Sequence, residues 1–182
     1  GLGIIIDGNL YYGKSGFSGE FGHFCMFENE VLCHCGKKGC LETEASGSAF
    51  HRILIERYRE GSNTILAGKL DSGEEISLGD LLEAVRKEDV LCIDILEKMG
   101  VNLGKGIAGL MNIFNPELVI LGGTLSLAGE YISLPVKSAI RKYSLNLVNQ
   151  DTEIKISKLG ERAGAFGACL LSRSKLLGMI HY

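Results

Sequence analysis

The chain has no apolar run approaching the roughly 20 residues that a membrane-spanning helix needs. It has no excess of positive charge either. Its 19 Lys and Arg stand against 22 Asp and Glu, for a net charge of −3 and a pI near 5.8. A general basic face for nucleic acid is therefore excluded. No signal-peptide pattern, internal repeat or low-complexity segment is visible. What it has instead is 46% hydrophobic residues in 182, a length that suits one compact domain. Such a chain can bury a core without covalent staples, so its six cysteines need not form a disulfide framework. A reducing cytoplasm fits them.

The cysteines are unevenly placed. Cys33-x-Cys35-x4-Cys40 follows His23 by ten residues and gathers three thiols and one imidazole within 18 positions. Cys3His is a closed tetrahedral zinc set, and thiolates favour zinc over hard cations. Gly36 and Gly39 flank Lys37-Lys38 and let the chain fold back between the second and third thiols. His34 could replace His23 on local geometry alone. Cys25, Cys92 and Cys169 lie in apolar surroundings and read as core residues. A closed site leaves no position for water, so the expected zinc is structural. Fixing His23 and Cys40 would also fix Glu20, three residues before the histidine, and Glu42, two after the cysteine. Rigid carboxylates beside an imidazole edge suit hydroxyl recognition, because carboxylates accept the bonds that hydroxyls donate. The alternative for Glu42 is a first-turn residue complementing a helix dipole.

Periodicity supplies the elements. Gly3 to Ile6 and Leu10 to Tyr12 read as a hairpin, and Phe24 to Phe27 as a third strand. A helix is expected from near Leu41 through Tyr58. The segment 66–75 reads as a loop with a short helix, followed by a cap at Ser77 with Asp80. One long helix is expected over Val90 to Phe114, with a polar stripe of Asp94, Lys98, Asn102 and Lys105. Its glycines at 100, 104, 106 and 109 cost roughly 1 kcal/mol each relative to alanine, which close packing would offset. Leu118 to Leu121 reads as a strand buried on both faces. Gly122-Gly123-Thr124 follows at its carboxyl end, where open α/β sheets bind ligands, although an ordinary tight turn has the same spacing. A helix over Tyr131 to Tyr143 has Pro135 in or near its first turn. Glu153 to Ser157 reads as a strand, and Ala163 to Leu177 as a last helix.

Gly19-Glu20-Phe21-Gly22-His23 and Cys33-His34-Cys35-Gly36-Lys37-Lys38-Gly39-Cys40-Leu41-Glu42-Thr43 resemble the signature of the ROK family of repressors, open reading frames and sugar kinases. The resemblance extends over nearly the whole chain, through Asn112-Ile113-Phe114-Asn115-Pro116-Glu117, Ile120-Leu121-Gly122-Gly123 and Ala163-Gly164-Ala165-Phe166-Gly167-Ala168. It implies an α/β fold: the carboxy-terminal lobe of an actin-like ATPase (ribonuclease H-like) fold, a mixed sheet flanked by helices with a zinc knuckle. It implies a structural Zn2+ on His23, Cys33, Cys35 and Cys40. It also implies sugar contacts from Glu20, His23 and Glu42, the histidine binding zinc through its other ring nitrogen. Gly122, Gly123 and Thr124 would lie against ATP, with Mg2+, in kinase members. Thr124 departs from the third glycine common in those kinases.

The chain opens on Gly1 inside an apolar strand pattern. The resemblance therefore implies that residues 1–182 are one lobe of a longer protein. The kinase phosphate loop and catalytic aspartate, and the helix-turn-helix of repressor members, would lie upstream, so no catalytic residue is expected here. The regulator-type members, NagC/XylR-like, resemble the chain most. The expected function is a sugar-sensing effector lobe of a carbohydrate-responsive transcription regulator. It would contact DNA only through an amino-terminal module and form a homo-oligomer. The alternative is an ATP-dependent sugar kinase acting on a hexose or N-acetylhexosamine.

Overall fold

The computed structural model describes residues 1–178. Strands β1 (Ile5–Ile6) and β2 (Asn9–Leu10) form a short antiparallel hairpin around Asp7 and Gly8, both in the left-handed region. Helices α1 (Gly47–Arg59), α2 (Ala67–Ser72), α3 (Leu78–Arg86) and α4 (Val90–Phe114) follow. Strand β3 (Leu118–Leu121), helices α5 (Glu130–Tyr143) and α6 (Asn146–Asp151), strand β4 (Glu153–Ile156) and helix α7 (Ala163–Leu176) complete the order. Strands β3 and β4 pair in parallel, Leu118 opposite Glu153 through Leu121 opposite Ile156. Among the described residues the sheet component consists of these two separate two-stranded pieces, one antiparallel and one parallel.

Helix α4 is the spine. Asp89 caps it, accepting from the Cys92 amide at 2.9 Å, and Asn115 ends it with φ 42°. Asp89 is buried and also accepts from Ile65 N (2.6 Å) and Thr64 Oγ1 (2.8 Å). Burial alone would raise its pKa, but these three donors outweigh it and hold the carboxyl below its ordinary value. Met99, Met111 and Leu96 of α4 are fully buried with Phe50 and Leu54 of α1, Val85 of α3, and Val136 and Ile140 of α5. The helix glycines have a steric reason. A Cβ on Gly104 would stand 2.5 Å from the Val136 carbonyl oxygen, and one on Gly100 2.8 Å from Pro135 Cβ. Close α4–α5 packing thus offsets the cost of glycine in the helix. Gly109 faces nothing within 4 Å and is not explained this way.

Several expectations differ from the structure. Phe24–Phe27 is not a strand; only isolated bridges, Cys25 with Cys40 and Leu32 with Lys38, join this region. The helix expected from Leu41 is a three-residue 3-10 turn, Leu41–Thr43, and α1 starts anew where Ser46 Oγ accepts from Ala49 N. Asn102 is buried rather than part of an exposed stripe. Pro135 sits in the second turn of α5, because that helix begins at Glu130. Strand β3 is only half-buried, and on one face: Leu118 and Ile120 are 41% and 61% exposed, while Val119 and Leu121 are partly buried against the core cluster. Cys92 is a core residue, but Cys25 and Cys169 are exposed, one on the knuckle loop and one on α7. Helix α7 buries none of its residues. The total accessible surface, 11762 Å2, exceeds the roughly 8,600 Å2 of a compact 19.7 kDa monomer by about a third. The uncovered faces of β3 and α7 belong to that excess.

Candidate metal and hydroxyl-binding site

The chain between Gly19 and Thr43 has almost no regular structure, yet it is closely tied. Met26 N and Phe27 N both donate to the Gly39 carbonyl (2.8 and 3.1 Å), Leu41 N to Phe24 O (3.0 Å), and Cys33 N to Lys37 O (2.8 Å). Gly39 is obligatory here: φ is 77°, and a Cβ would stand 2.1 Å from the Phe27 carbonyl oxygen. Lys38 pairs with Glu30 across the loop. The loop is seated on α4 through Phe21, whose ring edge would lie 2.7 Å from a Cβ on Gly106. A glycine of the spine thus lets the 3-10 turn Phe21–His23 approach it closely.

One ligand atom from each of His23, Cys33, Cys35 and Cys40 lies within 4.8 Å of all the others. Cys33 Sγ is 3.5 Å from His23 Nδ1, and Cys35 Sγ is 3.6 Å from Cys40 Sγ. Zinc bonds of about 2.3 Å to sulfur and 2.0–2.1 Å to nitrogen give tetrahedral edges of about 3.5–3.8 Å. The spacing therefore fits an ion at the centre. The thiols do not share one environment. Burial and the neighbouring Cys35 and Cys33 thiols push the Cys40 thiol up to about 12, whereas the Lys37 backbone amide lowers that of Cys35. A cation at the centre would favour the thiolate forms that ligate it. His34 is exposed and stands outside the cluster, so the geometry selects His23 over it.

The second set of residues converges on the same histidine. Glu20 Oε2 is 3.9 Å from His23 Nε2, and Glu42 Oε2 is 4.0 Å from Nδ1. Glu42 Oε1 also lies 4.0 Å from Cys33 Sγ, so this carboxylate flanks the cysteine cluster as well as the imidazole. The 3-10 turn explains how it is presented. Successive side chains of such a turn point about 120° apart. Leu41 and Thr43 are buried, which turns Glu42 outward to a half-buried position. Glu42 does lie in the first turn of a helix, as the alternative reading expected, but of a 3-10 turn of only three residues, which has little dipole to complement.

Gly122 and Gly123 lie where expected, between β3 and a 3-10 turn Thr124–Ala128 that Thr124 opens, with Gly123 at φ 85°. Behind Gly122 is a cavity of about 40 Å3, lined by Ala45, Met99, Leu103 and neighbouring apolar side chains. It has room for water, not a nucleotide. The glycine turn and the knuckle meet α4 one turn apart: Leu103 lines the cavity, and Gly106 touches Phe21. Sequence reasoning missed Arg52, Glu44 and Asn29, which brace the Glu42 turn. Arg52 Nη2 donates to Thr43 O at 2.8 Å, and Asn29 Nδ2 donates to Glu44 Oε1 at 2.7 Å. No local pattern signals these contacts, because their partners lie 9 and 15 residues away.

The ROK family model matches residues 1–175, and the chain belongs to the ROK family. The glucokinase of Halalkalibacterium halodurans is 35% identical over 168 residues, covering 92% of this chain and 51% of that protein. The xylose repressor of Caldicellulosiruptor bescii is 32% identical over 186 residues, covering 100% of this chain and 45% of that protein. The structure of a ROK family glucokinase from Streptomyces griseus in complex with glucose and AMPPNP matches with a TM-score of 0.82 at 30% identity. That match covers 94% of this chain and 56% of the glucokinase. The fold is thus that of the actin-like ROK sugar kinases. The chain spans about half the length of the curated relatives it matches. Kinases and repressors both stand among them. Among the described residues, no helix is long and apolar enough to cross a membrane.

Proposed function

We propose that this chain is the sugar-sensing effector lobe of a ROK-family transcription regulator of carbohydrate metabolism, ordered by a structural zinc. The observation that carries the sugar site, common to this reading and the kinase one, is the convergence of Glu20 and Glu42 on His23, itself a member of the candidate metal cluster. His23 Nδ1, Cys33, Cys35 and Cys40 would hold the ion, which supplies rigidity and no reactive water, since the four ligands close the tetrahedron. With Nδ1 on the metal, the His23 proton resides on Nε2, on the Glu20 side, as a hydrogen-bond donor. Two carboxylate acceptors and one N–H donor then match the donor and acceptor character of adjacent sugar hydroxyls. DNA would be bound by a separate amino-terminal module. A homo-oligomer with its partner on the exposed apolar faces agrees with the surface excess.

A second reading, an ATP-dependent sugar kinase, draws support from the glucokinase relatives. Gly122, Gly123 and Thr124 would then face ATP and Mg2+, with the general base outside this chain. Thr124, a side chain beside bare backbone, favours the regulator. The test of the shared site is calorimetric titration of the full-length protein with D-glucose, N-acetyl-D-glucosamine and D-xylose. Glu20→Gln and Glu42→Gln each remove a charge-assisted hydrogen bond, worth roughly 1.5–3 kcal/mol or about ten- to a hundred-fold in affinity. Zinc content stays at one per chain in both variants. Equal binding by parent and variants would make these carboxylates structural. ATP consumption on adding the bound sugar separates the kinase from the regulator.

A further inference from the structure

Glu42 stands on a turn of only three residues, and such a turn does not hold itself. Its amino end is fixed by Cys40, buried in the metal cluster, and by Thr43 Oγ1 donating to Cys40 O at 2.8 Å. Its carboxyl end leaves carbonyls without helical partners. Arg52 meets that end. From the second turn of α1 its side chain leans back toward the helix amino terminus, the direction helical side chains take. Nη2 donates to the Thr43 carbonyl at 2.8 Å and lies 3.6 Å from Glu44 Oε1. The guanidinium is also tethered by Nη1, which donates to both oxygens of Glu56 (3.0 and 2.8 Å) one turn further along. Glu44 in turn accepts from Asn29 Nδ2, in the loop between His23 and Cys33. The Glu42 turn is thus held twice: by the metal cluster at one end and by a clamp to α1 at the other.

We propose that Arg52 is a positioning residue for Glu42, setting its carboxylate against the sugar independently of the zinc. This rests on the sugar-site reading above. A planar fork suits the role, because one guanidinium spans the Thr43 carbonyl, Glu44 and Glu56 together. A lysine ammonium has three donors but all on one nitrogen, so it does not span the same separated acceptors. Rigid support of this kind sets affinity through the geometry of the group it holds.

The experiment is a double-mutant cycle in the full-length protein, with affinity for the same three sugars read by calorimetry and zinc by elemental analysis. Arg52→Met weakens binding of the preferred sugar roughly tenfold in the parent background, within the range of coupled neighbours. In the Glu42→Gln background it weakens binding less than about twofold, because the group it positions has already lost its charge. In the Glu20→Gln background the tenfold loss returns, since Glu20 lies on a different turn. Zinc stays at one per chain throughout. Arg52→Lys recovers part of the affinity, and it carries the same cycle if Arg52→Met does not fold. Unchanged affinity in Arg52→Met, an equal loss in both the parent and Glu42→Gln backgrounds, or loss of zinc would each overturn the proposal. If Glu42→Gln itself costs nothing, the sugar site is at fault, and that result identifies which of the two claims has failed.

Discussion

Gly36 and Gly39 offer a paired test of how the knuckle is built. Both have positive φ, 83° and 77°, and both flank the same two lysines. An alanine in the left-handed region costs about 1–2 kcal/mol at either position. The space around them differs. A Cβ on Gly36 meets nothing within 4 Å, whereas one on Gly39 would stand 2.1 Å from Phe27 O and 3.1 Å from Cys25 Sγ. The backbone must move there, and the hydrogen bonds from Met26 N and Phe27 N to Gly39 O go with it. At about 0.5–1.5 kcal/mol each, those bonds bring the total for Gly39→Ala to about 2–5 kcal/mol. With the proposed zinc, knuckle folding and metal binding would be one equilibrium, so the cost would appear in zinc affinity. Gly36→Ala should lower it about five- to thirty-fold, and Gly39→Ala about thirty- to several-thousand-fold. Competition with a chromophoric zinc chelator at fixed pH measures both. Equal losses in the two variants, or parent-like affinity in Gly39→Ala, would refute the steric account of the loop.

Further outcomes follow from the spine and its caps. Gly104→Ala should lower unfolding stability by about 1–3 kcal/mol, read as a lower urea midpoint, because its Cβ would meet the α5 backbone at Val136. Gly109→Ala, facing open space, should raise stability by up to about 1 kcal/mol; a loss there would contradict the assigned packing. Asp80, in the capping box of α3, is held at about 2 by Lys69 and by the Ser77 hydroxyl and amide, below its ordinary 3.8. A depressed carboxyl contributes stability that is full above 3.8 and lost as the pH falls toward about 2. Asp80→Asn should flatten the stability profile in that window, as read by denaturant melts at stepped pH.

What was legible in the sequence was whatever depends on local chemistry. Val90–Phe114 emerged from its apolar period with both ends placed, because Asp89 caps one and Asn115 terminates the other. Ser77 and Asp80 showed themselves as a capping box for the same reason. The four metal-cluster residues were legible because thiols and an imidazole at that spacing have few other uses. What failed depends on distant partners. Helix α6, six residues without an amino-terminal side-chain cap, is anchored by Asn112 Oδ1 accepting from Leu145 N, 33 residues away. The break between the Glu42 turn and α1 is set by Ser46 and by Arg52 reaching back from the next helix, which an apolar pattern does not reveal. The uncovered face of β3 has the composition of a buried strand, and composition does not say which element covers it.

The central claim is that one zinc orders the surface that meets the sugar. It is tested by measuring zinc content and sugar affinity on the same full-length preparation: as purified, after removal of the metal by chelation, and after zinc is restored. The account predicts one zinc per chain, loss of sugar binding with loss of the metal, and recovery of both together. A metal-free protein that stays folded and binds the sugar with unchanged affinity would contradict it.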